Sequence, residues 1–160
     1  MNAGQDLADA ADTSVEPALR AEEEKSIAEV LRKACVTVGA IVDGETSLQT
    51  QAVDDGAIEA IMAAMEWFPL HGPLQQWACY ALFNLSFDHI PNKIYIVKQG
   101  SLSPVLNAMN AHPQALELNR HAVGVLFNVL RNDKAVDTFT MRQVALNAGL
   151  VEVLTWHLLL

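Results

Sequence analysis

The stretch Leu74–Leu85, LQQWACYALFNL, returns 44 residues later as LNRHAVGVLFNV, Leu118–Val129. Laid over each other at that offset, residues 52–85 and 96–129 share ten identities in thirty-four positions. They are Val53/Val97, Gly56/Gly100, Ala64/Ala108, Met65/Met109, Pro69/Pro113, Leu74/Leu118, Ala78/Ala122, Leu82/Leu126, Phe83/Phe127 and Asn84/Asn128. Chance would supply about two or three, since even common residues stay near about ten per cent of a chain. A period of this length is the signature of a helical solenoid, whose units bury their apolar faces only by stacking on one another.

Inside the stretch, Leu74, Ala78, Ala81, Leu82 and Leu85 fall on one helical face, which predicts a helix from Leu74 to Phe87. Working back, Ile58, Ile61, Met62 and Met65 give a helix to Trp67, and residues 48–55 give a shorter one ending at Gly56. Phe68 to Pro73 is read as a breaker, because proline removes a backbone donor and glycine loosens the chain. Each unit therefore holds three helices. The unit restarts at Pro91, with Gly100 at its turn, a second helix over Leu102–Ala111 and a third over Leu116–Arg131. Earlier, Ile27, Val30, Leu31, Ala34, Val38 and Ile41 predict the third helix of a degenerate first unit, closed by Gly44 in a left-handed conformation. Later, MRQVALNA, Gly149 and LVEVLTWHLLL supply a first and a second helix with no third. The units run over about 26–47, 48–90, 91–132 and an incomplete 140–160. The fold class expected is all-α, a right-handed α-α superhelix with two complete three-helix repeats and partial flanking ones.

Residues 1–25 carry seven acids against Arg20 and Lys25, and few large apolar side chains. The segment is read as an acidic tail, disordered over 1–15, since it cannot offset its ordering entropy by burial. Pro17 could open a short helix there. The net charge of −9 argues against nucleic-acid binding, which needs clustered Lys and Arg. No stretch reads as a signal peptide or a membrane span, so the expectation is a cytoplasmic protein, with the nucleus as the alternative. Cys35 and Cys79 occupy equivalent positions one repeat apart and read as small buried residues in a reducing compartment. The five histidines are scattered, without the spacing of a metal site, and no phosphate loop or nucleophile motif occurs. No metal, cofactor or catalysis is expected.

A Gly-[Ala/Ser]-[Ile/Leu] turn between the first two helices, with A-x-x-x-L-F-N-[LV] in the third, resembles the armadillo repeat. The matching pieces are NKIYIVKQGSLSPVLNAM and LQQWACYALFNLS. HEAT repeats are the nearest rival but lack this glycine turn. The resemblance implies a superhelix whose third helices line a groove for extended peptides, in a family of adaptors and scaffolds. Importin-alpha-like members pair an Asn with a Trp one turn earlier. Here Asn84 and Asn128 are present, but Tyr80 and Gly124 stand at the Trp positions, so the Trp ladder is missing.

A side-chain amide both donates and accepts, so one Asn can hold the N–H and C=O of an extended ligand. Third helices about 8–10 Å apart would meet such a ligand at about every third residue. The expected peptide groove is Trp77, Tyr80, Asn84 and Asp88 in one unit and His121, Gly124, Asn128 and Asn132 in the next. The alternative is that the two Asn tie down neighbouring loops and that Trp77 is half-buried packing. Phe83 and Phe127 are expected as core between units. The uncapped C-terminal end, with Trp156, Leu158, Leu159 and Leu160, is either the cut edge of a longer solenoid or an interface with a partner or a second copy. The function expected is a scaffold or adaptor for an unidentified protein or peptide partner. Its alternative is a regulatory or structural segment of a kinase or ubiquitin-ligase subunit with an idle groove.

Overall fold

A computed structural model of the chain describes residues 3–131 and 138–159, with side chains over 16–131 and 142–159. Among the described residues every regular element is an α-helix. In order these are α1 (Ala3–Ile41), α2 (Thr46–Asp54), α3 (Ala57–Trp67), α4 (Gly72–Ser86), α5 (Ile90–Lys98), α6 (Leu102–Ala111), α7 (Leu116–Leu130), α8 (Thr138–Asn147) and α9 (Leu150–Leu158). The ends of α2 and α4 lie 44 residues before those of α5 and α7, so the sequence period is also a period of helix boundaries.

Local chemistry sets those boundaries. Gly56 and Gly100 take φ of 85° and 75°, a left-handed conformation that turns the chain sharply between short first helices and second ones. The breaker before α4 is shorter than expected, because Gly72 and Pro73 already form its first turn. His71 Nδ1 accepts the Leu74 N–H at 3.1 Å, and His89 Nδ1 accepts that of Asn92 at 3.2 Å. Both helices carry proline in the first turn, where a missing N–H costs nothing.

The largest internal interfaces are α1 on α4 and α4 on α7, three helices side by side. Helices α3 and α6 pack against α4 and α7. Leu74, Ala78, Leu82 and Leu85 of α4 are sealed, as are Leu118, Ala122, Leu126 and Val129 of α7. Small residues at Ala78, Ala81 and Ala122 leave room for close helix approach.

Buried amides finish the helix ends, whose last carbonyls have no partner within the helix. Gln49 Nε2 donates to the carbonyls of Asn84 at 2.7 Å and Phe87 at 2.9 Å. Asn92 Nδ2 donates to that of Leu85 at 2.9 Å, closing the end of α4. Gln75 Nε2 donates to the Met65 and Phe68 carbonyls at 2.9 and 3.0 Å. Its counterpart one repeat on, Asn119, donates to those of His112 and Pro113 at 3.2 and 3.1 Å.

Two expectations need correction. The acidic segment read as disordered instead continues α1 back to Ala3, with Pro17 inside the helix rather than opening one. Alanine and glutamate are strong helix formers, and the ion pair Arg20–Glu16 at 2.7 Å has the i,i+4 spacing that supports an exposed helix. Phe127, expected between units, lies exposed, while Phe83 packs against the core. The difference is that α7 covers Phe83, and no described third helix lies beyond α7.

Candidate functional site

The third helices α4 and α7 place an aromatic ridge across their junction. The Trp77 and Tyr80 rings meet edge to face, centroids 5.3 Å apart and planes at 87°. Tyr80 continues to His121 of α7, again at 5.3 Å, with a tilt of 55°. Trp77 and Tyr80 are half-buried, so each ring keeps an accessible part. Arg120 lies beside the ridge, its Nη2 3.0 Å from His121 Nε2 and 2.7 Å from Glu117 Oε2. On α1, Arg32 and Glu29 form a second pair, partly buried. His121 is buried. Burial, and then the Arg120 charge, hold its pKa below the ordinary histidine range and favour the neutral ring.

Asn84 and Asn128 do not face outward. They are 4% and 3% exposed. Asn84 Nδ2 donates to the Gly39 carbonyl at 2.9 Å, and Asn128 Nδ2 to the Phe83 carbonyl at 3.2 Å and Ser86 Oγ at 3.1 Å. Gly39 and Phe83 lie in the last turns of α1 and α4, so each amide satisfies an end carbonyl of the third helix before it. The same repeat position performs the same bond twice. The tie-down reading of these amides, weighed above against ligand binding, has this geometry.

Gly124 forms a socket rather than a contact surface. A Cβ there would come within 2.7 Å of Phe83 Cδ2. Asp88, at the end of α4, pairs with Arg131 at 2.5 Å and bridges the ends of the two third helices. Asn132 and Leu160 lie outside the described residues. At the other end, Trp156, Leu158 and Leu159 are exposed. Trp156 and Leu159 line an open cleft of about 740 Å³ that Asn110 and Pro113 close on the α6 side.

The structure thus brings together Trp77, Tyr80 and His121, and leaves Asn84, Asn128 and Gly124 in the packing between helices. Sequence reading missed Arg120 beside the ridge and Gly39 beneath Tyr80. A signal for Gly39 exists: Gly39/Tyr80 and Phe83/Gly124 are the same two repeat positions, with large and small residues exchanged.

Chemically the ridge offers apolar ring faces, a neutral imidazole and paired charges, which suit side-chain capture and cation–π contact. Burial pushes the Cys35 and Cys79 thiols up to about 11 and about 12, so both stay protonated. Among the described residues no group of three His, Cys, Asp or Glu side chains could hold a metal ion. No described helix is long and apolar enough to cross a membrane. No family model, curated protein or solved structure matches the chain.

Proposed function

We propose that the chain is an armadillo-type solenoid acting as a non-catalytic protein-interaction module, which takes an extended segment of a partner protein across its third helices. The observation that supports this reading most is the Trp77–Tyr80–His121 ridge, three contacting rings spanning two units with Trp77 and Tyr80 partly open. Half-open aromatic clusters carry a large share of binding energy at interfaces, because rigid rings bury much area at little entropic cost. Recognition then rests on the rings and on Arg120, while Asn84 and Asn128 hold the helices in register. Two reduced, buried cysteines fit a cytoplasmic or nuclear setting.

A second reading, a structural or regulatory segment of a larger kinase or ubiquitin-ligase subunit with an idle groove, draws support from those same amides. Each is already bonded to main chain, so the ladder that would grip a peptide backbone is engaged elsewhere.

The test is selection of a random peptide library displayed on phage, followed by titration of the enriched peptides against the wild type and Trp77→Ala. The interaction reading expects enriched sequences whose affinity falls at least about tenfold in Trp77→Ala, the loss of a hot-spot side chain. Failure to enrich any peptide, or equal binding by the variant, favours the idle groove.

A further inference from the structure

Two ion pairs frame the aromatic ridge at one repeat position. Glu29–Arg32 on α1 and Glu117–Arg120 on α7 stand two periods of 44 residues apart. The helix between them, α4, has Pro73 and Gln76 at those positions, with Trp77 and Tyr80 beside them. The row through the ridge therefore reads Arg32 and Lys33, then Gln76 and Trp77, then Arg120 and His121. It runs cation, ring, cation. The two carboxylates lie one turn earlier, each held by its own arginine. Both guanidinium groups bond through Nε and Nη2, which turns Nη1 away from the glutamate. Lys33 is exposed as well. In a chain of net charge −9, these positions set three cations against two engaged carboxylates.

Spacing selects the ligand backbone. Packed helices lie about 8–10 Å apart. A polyproline II segment has three residues per turn and a rise of about 3.1 Å, so its same-face side chains recur every ~9.3 Å. They step from one third helix to the next. A β-strand repeats its face every two residues, at about 6.6 Å, and falls out of register. We propose that the groove takes a segment in polyproline II conformation with the pattern acid–x–x–apolar–x–x–acid. The apolar side chain lies on Trp77 and Tyr80, one carboxylate meets Arg32 and Lys33, and the other meets Arg120. This rests on the peptide-binding reading above and gives its partner a chemistry. Arg120 Nη2 lies 3.0 Å from His121 Nε2, so a basic side chain on the rings would meet a cation already there. Each arginine is held by its glutamate before the ligand arrives, so ordering it on binding costs little side-chain entropy.

The probes are fluorescein-labelled peptides EPPFPPE, KPPFPPK and EPFPPPE, in which proline fixes the backbone near the required φ. The second reverses the charge and the third moves the ring out of register. Fluorescence anisotropy at low salt, where exposed charges are least screened, should show EPPFPPE binding at least about tenfold tighter than either control. Arg120→Glu should remove that margin, and one of KPPFPPE and EPPFPPK should restore it, which also fixes the direction of the segment. Lys33→Glu should be restored by the other of the two. Both positions are exposed, so the helical circular dichroism should be kept. Absence of EPPFPPE binding overturns the proposal, as does equal or tighter binding of KPPFPPK or EPFPPPE, or recovery by neither swapped peptide. If the phage library yields Trp77-dependent peptides without the paired acids, this proposal falls and the groove reading stands. If it enriches nothing and EPPFPPE does not bind, both fall.

Discussion

Phe83 of α4 lies on Gly124 of α7 so closely that a Cβ on the glycine would sit 2.7 Å from the ring. On the opposite flank of α4, Tyr80 lies on Gly39 of α1, where a Cβ would come within 2.5 Å of Cε1. Each pair of neighbouring third helices is thus set by one aromatic ring and one missing side chain.

Gly124→Ala should therefore destabilise the fold despite improving helix propensity by about 1 kcal/mol. Displacing the ring costs about 1–3 kcal/mol, as overpacking does elsewhere. In a Phe83→Ala background the ring is gone, and the same Gly124→Ala change should stabilise. Urea denaturation of the four proteins reads the coupling; equal effects of Gly124→Ala in both backgrounds would show that the contact does not matter.

Asn84→Ala and Asn128→Ala should each lower stability by about 1–3 kcal/mol, because each strips a buried helix-end carbonyl of a donor. Thermal melts of the single variants check this. An unchanged melting temperature would return the amides to the surface role first considered for them.

Protonation of His121 should weaken the fold. Its folded pKa is depressed by burial and by Arg120, whereas the unfolded chain takes up the proton near the ordinary 6.5. The unfolded state thus binds more protons as pH falls below that value, so this contribution is complete well above it and is lost progressively as pH falls through the depressed folded pKa. His121→Gln should flatten the stability profile in that window. Glu117 and Glu29, whose pKa values are lowered first by their hydrogen bonds to Arg120 and Arg32, act at more acidic pH.

Cys35 and Cys79 should resist iodoacetamide in the folded protein at pH 8, since thiols raised to about 11 and about 12 hold almost no thiolate there. Mass spectrometry should find labelling only after denaturant is added. Rapid modification of Cys79 without denaturant would place it outside the core.

The 44-residue echo, read with helical spacing, was enough to place α2 to α7 within a residue or two, along with the glycine turns and the buried stripe of each third helix. Those features are local: a periodic apolar face and a left-handed glycine depend on neighbours within one or two turns. What lay beyond reach was direction around the helix. Asn84 and Asn128 fit a ligand amide and a structural amide equally well in sequence, and only the position of the preceding helix end decides which carbonyl each one meets. Gly124 reads in sequence as a missing tryptophan, whereas Phe83 packs onto it. The same limit applied to α1, whose helical backbone from Ala3 follows from no apolar period. Sequence alone determined the helices and their repeat, because both rest on short-range regularity. Tertiary structure decided which side chains face solvent, because that depends on which neighbour each helix has.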